Sequence, residues 1–167
     1  MSELQVGQNF PEGVVFGWIP PAEESSSIRV CGFPIKYDLS KDCKDKKIVI
    51  VAIPGAFTPT CSANHLPSYI DKIKEIKAKG VDKVIFIAYN DEFVMSGWGK
   101  ANGITDDSIL FMSDLDAKWS QTIGWASPPR TGRFAVIIDH GKVAYAAQDL
   151  GKSSIANSGA DGVLAQL

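Results

Sequence analysis

Histidine is scarce in this chain, with two among 167 residues, and cysteine occurs three times. No His, Cys or carboxylate grouping has zinc-ligand spacing, so no metal site is expected. No Gly-x-Gly-x-x-Gly follows the first strand-like run, and no Gly-x-x-x-x-Gly-Lys-Ser/Thr occurs anywhere, which removes the dinucleotide cradle and the P-loop. Long basic blocks are also missing. The formal net charge is −2, which argues against nucleic acid or an anionic membrane as partner. No apolar run approaches the ~18 residues a membrane span needs. The first twenty residues lack a basic region followed by an apolar one, so no secretory signal is expected. An odd cysteine count and the lack of any Asn-x-Ser/Thr acceptor point to a reducing, cytoplasmic setting. The last three residues, Ala165-Gln166-Leu167, resemble a peroxisomal Ser-Lys-Leu address, with Gln166 where a basic residue is expected. Neither repeat nor linker divides the chain, so residues 1–167 are expected to form one domain.

What is present is an ordinary globular composition, 45% hydrophobic and 22% charged, sufficient for a sizeable core. "KIVIVAI" (47–53) and "KVIFIAY" (83–89) are continuous β-branched and aromatic runs, as strands covered on both faces read. "ILFMS" (109–113) is a shorter run of the same kind. "RFAVIID" and "KVAYAAQ", joined by His140-Gly141, read as an antiparallel hairpin. Leu66, Ile70, Ile73 and Ile76 recur at helical spacing before a stop at Gly80. "DEFVMSGWGKAN" predicts a helix anchored by Phe93 and Trp98, and "DAKWSQTIG" another carrying Trp119 and Ile123 one turn apart. "SGADGVLAQL" predicts a terminal helix capped near Ser158. The N-terminal third, including "SIRVCGFPI", predicts short strands and turns. Strands alternating with helices before a closing hairpin make an α/β fold, with a mixed central sheet and helices on both faces.

The chemistry concentrates in "PGAFTPTC", residues 54–61. Thr58 is a good helix N-cap, and Pro59 suits the first helical position, where a missing N–H costs nothing. Cys61 is then the third helical residue, beside unpaired N–H groups at the positive end of the helix dipole, which favour thiolate over thiol. Pro67 interrupts the same helix and predicts a kink. A lone cysteine is often only a small core hydrophobe, but Cys61 stands off the Leu66–Ile76 stripe. Thioredoxin-type oxidoreductases carry Cys-x-x-Cys here. This chain has Thr58 in place of the first cysteine, which favours single-thiol chemistry on a small oxygen-bearing substrate.

"PGAFTPTC" resembles the Pro-x-x-x-Thr-x-x-Cys signature of the peroxiredoxins, in the form of their atypical type II branch. "SANHLPSYI", "YNDEFVMSGWGK", "FMSDLDAKWSQTIG" and "GRFAVIIDHGKVAYAA" extend the resemblance over essentially the whole chain, in particular to the fungal peroxisomal-membrane-protein-like peroxiredoxins, several of which are allergens. It implies a thioredoxin-like fold, a homodimer without cofactor, and reduction of hydrogen peroxide and alkyl hydroperoxides, with thioredoxin, glutaredoxin or glutathione as reductant. It also implies that Cys61 is the peroxidatic cysteine, that Thr58 bonds its sulfur and the peroxide, and that Pro54 shields the pocket. Arg133 is the matching arginine, and Gly55 helps hold the peroxide oxygens. An ordinary thiol of pKa ~8.5 is about 3% ionised at pH 7, so full ionisation gains at most roughly 30-fold, about 2 kcal/mol. Any faster rate must come from donors aimed at the reacting oxygens.

Competing assignments remain at this point. Arg130 stands three residues before Arg133 as a second-shell or surface charge. His65 lies one turn beyond Cys61 and could pair with it in a hydrolase or acyltransferase, although a satisfied structural histidine is the plainer reading. A redox-regulated binding or holdase protein is a further alternative. Cys31 and Cys43 are the remaining thiols. Cys43, in the charged "SKDCKDKK", is expected at the surface. Cys31, in "IRVCGFPI", is expected in an ordered apolar stretch, and the fungal relatives place there the cysteine that resolves the oxidised thiol of the partner subunit.

Overall fold

The structure is a computed structural model describing residues 2–167. Seven strands form one sheet in the order β2-β1-β5-β4-β3-β8-β9. These are β1 (Val15–Trp18), β2 (Ile35–Asp38), β3 (Lys47–Ala52), β4 (Lys83–Ala88), β5 (Leu110–Ser113), β8 (Phe134–Asp139) and β9 (Lys142–Gln148). The central strands β3, β4 and β5 run parallel, while β8, β9, β1 and β2 extend the sheet antiparallel on either side. A separate ribbon pairs β6 (Ala126–Ser127) with β7 (Arg130–Thr131).

The unbroken aliphatic runs follow from this topology, because β3 and β4 are covered on both faces. Ile48, Ile50 and Ala52 of β3 face one apolar cluster with Phe16, Trp119 and Phe134. Val49, Val51 and Ile53 face the other, with Leu66, Tyr69, Phe86 and Trp98. Period-2 alternation thus feeds two cores from one strand. Helices α2 (Leu66–Ala78), α3 (Glu92–Ala101) and α5 (Ala160–Leu164) cover the second cluster, and α1 (Leu39–Asp42) and α4 (Lys118–Thr122) cover the first. The predicted hairpin turn is present, with φ of 49° at His140 and 80° at Gly141. Positive φ at both turn residues matches the twist of the flanking strands.

Several expectations are corrected. Phe93 is half exposed, and Met95 takes its place beside Trp98 as the anchor of α3. Tyr69 replaces Ile70 on the buried stripe of α2. The terminal helix is capped near Ser158 as expected, at Gly159, and spans only Ala160–Leu164. Cys43 is buried rather than at the surface. The charged run opens as a short helix, and Leu39, Ser40 and Cys43 turn its inner face to the core. Its charges pair outside: Asp42 accepts from Tyr37, Lys46 and Lys83. Burial opposes its ionisation, but these donors prevail and lower its pKa to about 2. Cys31 is the opposite case. Residues 26–34 contain no strand, and Cys31 is exposed. At the other end of the chain, Leu167 packs against the second core cluster, its N–H donating to the Leu164 carbonyl at 3.2 Å. Among the described residues, no helix is long and apolar enough to cross a membrane.

Candidate active site

β3 ends at Ala52, and the chain turns through Pro54–Thr58 into the helix that begins at Pro59. Asn90, just beyond β4, holds this turn: its Oδ1 accepts the Ala56 N–H at 2.9 Å. Phe57 sits at φ 61°, the left-handed region that a non-glycine residue enters only where its surroundings enforce it. The Thr58 hydroxyl donates to the Gly55 carbonyl at 2.7 Å, and the Thr58 carbonyl accepts Ser62 N–H at 3.0 Å. Thr58 is therefore the residue at which the helix starts, as the sequence predicts, but its hydroxyl bonds the loop and not a helix N–H. Its hydroxyl proton is directed at the loop, which leaves the oxygen lone pairs free to accept another donor. Gly55 allows close approach here. A Cβ on it would lie 3.2 Å from the Tyr89 ring, 3.3 Å from Thr58 Cγ2 and 3.5 Å from Arg130 Nη1.

Cys61 is fully buried in the first turns of this helix. Residues Cys61–His65 form a π-helical turn, closed by the Leu66 N–H donating to the Cys61 carbonyl. The irregularity expected at Pro67 thus falls in the turn immediately before it, where a proline ring would crowd the carbonyl four residues back. Such a turn is wider than an α-helical one and is a weak point at which a helix can open.

Arg133 precedes β8, whose first residue, Phe134, pairs with Ala52 of β3. That register sets Arg133 beside the Ile53–Pro54 exit of β3. Far from being a solvated strand end, it is 7% exposed. Arg133 Nη1 donates to His65 Nδ1 at 2.9 Å, and His65 Nε2 donates to the Ser158 carbonyl at 2.9 Å. Burial, reinforced by the Arg133 charge, lowers the His65 pKa to about 4 despite the Ser158 bond. His65 is therefore neutral at pH 7, with its proton on Nε2 and its Nδ1 lone pair spent on Arg133. It has no free nitrogen with which to act as base for Cys61, and the Cys–His acyl-transfer arrangement is not formed. A neutral acceptor also orients the guanidinium without cancelling its charge, as a carboxylate would.

Arg130 is exposed on β7, with its guanidinium 5.7 Å from the centre of the Tyr89 ring. It belongs to the rim beside Gly55, a place its sequence neighbourhood did not reveal. Asn90, Asp149 and Ser158 were also missed. Asn90 and Ser158 act through contacts 34 and 93 positions away, and Asp149 acts through Ser158 nine positions on; only the polar character of "YND" and "NSG" hinted at the first two.

Pro54, Gly55, Thr58, Cys61, His65 and Arg133 are thus assembled around one turn. Cys31 stands apart on the 26–34 segment, which meets α3 at two places. Lys100 Nζ donates to the Val30 carbonyl at 2.7 Å and the Ser27 carbonyl at 3.4 Å, and Ile28 lies over Gly97. The next residue of α3, Trp98, donates its indole N–H to Ser62 Oγ, at 3.3 Å. One helix therefore touches both cysteine-bearing segments.

The redoxin family profile matches residues 5–164. Peroxiredoxin Pen c 3 of Penicillium citrinum is 56% identical, over 98% of this chain and 99% of its own. Peroxiredoxin AHP1 of Chaetomium thermophilum is 52% identical, over 100% and 96%. Among solved structures, reduced Prx3 of Vibrio vulnificus in complex with hydrogen peroxide is 33% identical and superposes with a TM-score of 0.80, over 97% of this chain and 98% of that one. A thioredoxin-like sheet, a cysteine in the first turn after Pro-Gly-Ala-Phe-Thr-Pro-Thr and these full-length relatives agree: the chain belongs to the redoxin family and is a peroxiredoxin, a thiol peroxidase.

Proposed function

We propose that Cys61 is the peroxidatic cysteine and that the substrates are hydrogen peroxide and small alkyl hydroperoxides. The thiolate attacks the terminal peroxide oxygen in line, and the O–O bond breaks. Sulfur gains the oxygen as a sulfenic acid, and the leaving oxygen takes a proton to depart as water or alcohol. The observation that carries the reading is the placement of Cys61 in the first helical turn, three residues after Thr58, with the buried Arg133 bonded to His65 one turn further on. Thr58 offers its oxygen to the attacked group while Arg133 meets the charge that builds on the peroxide. Gly55 admits the substrate, and Pro54 keeps bulk water from the sulfur. An acceptor and a donor held in place before reaction need no reorganisation, so they stabilise the transition state more than the ground state. The relative from Vibrio vulnificus has been crystallised with hydrogen peroxide itself, which supports the same substrate class here.

Cys31 then condenses with the sulfenic acid, releasing water and forming a disulfide. Cys43 is too deeply packed for that role, so exposure favours Cys31, and the likeness to fungal peroxiredoxins favours a bond to the partner subunit of a homodimer. An external thiol system of the thioredoxin, glutaredoxin or glutathione type resets the enzyme. The site of action is the cytoplasm. A relative named "Putative peroxisomal peroxiredoxin" in Lipomyces kononenkoae is 46% identical, which leaves a peroxisomal pool as the alternative.

The test is peroxide consumption with each reductant in turn, together with ester hydrolysis. Turnover that vanishes in Cys61→Ser, with no esterase activity, is the expected result. Ester hydrolysis lost equally in Cys61→Ser and His65→Ala would overturn the reading.

A further inference from the structure

Arg133 is tied to one short stretch of chain, 149–158, in two ways: directly at its carbonyl and through His65 at its guanidinium. Its carbonyl accepts the Asp149 N–H at 2.8 Å, one rung beyond the last β8–β9 pair. Its guanidinium donates to His65 Nδ1, and His65 Nε2 donates to the Ser158 carbonyl, which also accepts the Tyr69 hydroxyl at 2.7 Å. Ser158 is fixed in turn by Asp149, whose Oδ2 accepts the Ser158 N–H at 2.9 Å and its hydroxyl at 2.6 Å. The other carboxylate oxygen takes Asn157 N–H at 3.0 Å and Ser154 Oγ at 3.1 Å. The bonds close a ring: Arg133, His65, Ser158, Asp149, and back to the Arg133 main chain. All four residues are at least nine-tenths buried.

The ring has a direction. A carbonyl facing Nε2 selects the tautomer with its proton there, leaving a lone pair at Nδ1 for the guanidinium. Move that carbonyl and the imidazole loses the partner that fixes its plane, so the Nδ1 lone pair no longer holds the Arg133 N–H in one direction. Between Asp149 and Ser158 the chain forms neither helix nor strand, so no ladder holds this stretch. Two things orient the Ser158 carbonyl: the Gly159 N–H of the same peptide unit, which donates to the Ile155 carbonyl at 2.7 Å, and the Asp149 carboxylate with its four donors.

We propose that Asp149 is a positioning residue for the peroxide step: by holding the Ser158 carbonyl against His65, it fixes the direction in which Arg133 points. The proposal rests on the reading of Arg133 as the cation that meets the peroxide oxygens. Asp149→Asn keeps the shape but turns one oxygen into an NH2 group that faces either the Ser158 pair or the Asn157 N–H, so the loop cannot stay as it is.

The experiment compares two reagents on reduced Asp149→Asn in single turnover, at a pH where the thiol is fully ionised. Hydrogen peroxide needs Arg133 aligned on its oxygens; iodoacetamide needs only the thiolate. The peroxide rate constant is expected to fall about tenfold or more, in the range of losing one aligned donor, with alkylation changed less than about threefold. In an Arg133→Ala background the same substitution should cost nothing further, since the group it positions is gone. Equal losses with both reagents, or a full further loss in Arg133→Ala, would show general loosening and overturn the proposal. So would a normal peroxide rate in folded Asp149→Asn alongside a slow Arg133→Ala. A normal rate in Arg133→Ala itself would instead sink the reading of Arg133 on which the proposal stands. Should Asp149→Asn not fold, Ser158→Ala carries the same comparison, because it removes one of the two bonds to Asp149 and keeps the carbonyl.

Discussion

Cys61 and Cys31 occupy opposite kinds of ground. Cys61 is wholly buried, in a turn braced by Asn90, Thr58, His65 and Trp98. Cys31 lies on an exposed segment without regular structure, tied to α3 by one ammonium group and one isoleucine. On the proposed reading the contrast matches two chemical demands. Peroxide reduction rewards groups held still around a developing charge. Disulfide formation needs the Cα atoms within about 7 Å, so something must travel. Local opening is drawn from the least stable parts of a fold. On this reading the exposed, irregular Cys31 segment is the part to travel, and the π-helical turn at Cys61–His65 is where the braced helix would have to open.

The sharpest way to break the comparison is to remove each thiol. Cys61→Ser should abolish peroxide turnover. Cys31→Ser should leave the first oxidation of Cys61 intact and lose the reducible covalent dimer that wild type forms with one equivalent of peroxide. Cys43→Ser should keep that band on non-reducing electrophoresis. A band lost in Cys43→Ser but kept in Cys31→Ser would reverse the assignment.

Next in size is Thr58→Val, which keeps the shape and deletes the hydroxyl. The peroxide rate constant should drop roughly 10²-fold even where the thiol is fully ionised, comparable with loss of one preorganised hydrogen-bonding group. Losing the bond to Gly55 should cost about 1 kcal/mol of stability in denaturant unfolding. A normal rate at that pH would mean that the hydroxyl acts only through ionisation.

His65 sharpens the rigid side of the comparison in two ways. His65→Ala should slow the peroxide step yet leave substantial turnover, because Arg133 loses its orientation but keeps its charge. Acid should act on the same bond. The His65 pKa is about 4 in the folded chain against a reference of 6.5, so the unfolded chain binds the extra proton first. Stability should therefore fall as pH drops from about 6.5 towards 4, by up to about 3 kcal/mol from this group. Urea midpoints across that range should show the slope, and His65→Gln should flatten it.

The smallest effect belongs to the exposed Cys31 side. Lys100→Met removes the ammonium from two carbonyls of the Cys31 segment and should leave the peroxide step unchanged. Disulfide formation should speed up by about threefold, and stability should change by less than about 1 kcal/mol. A slower disulfide step would mean that the tether presents Cys31 rather than restrains it.

Legibility followed the range of the interactions. The strands at 47–52 and 83–88, the His140-Gly141 turn and the helix start at Thr58-Pro59 were readable because each depends on neighbours within a few residues. The exposure of the two lesser cysteines was not. Charges around Cys43 suggested the surface, but the spacing of Leu39, Ser40 and Cys43 turns one face of a short helix inward. Apolar neighbours around Cys31 suggested burial, but Ile28, Phe33 and Ile35 all remain exposed.

The sequence by itself determined the two-faced sheet and a helix whose first turn carries Cys61, since apolar period, N-cap and proline are local properties of the chain. Only the tertiary structure decided what that turn faces. Arg133 meets His65 across 68 residues and His65 meets Ser158 across 93, and no local rule ranks Arg133 above Arg130. The β3–β8 register brings Arg133 to the mouth of the turn, and burial strips His65 of its charge so that it can accept. Those pairings exist only once the sheet is assembled and water is gone.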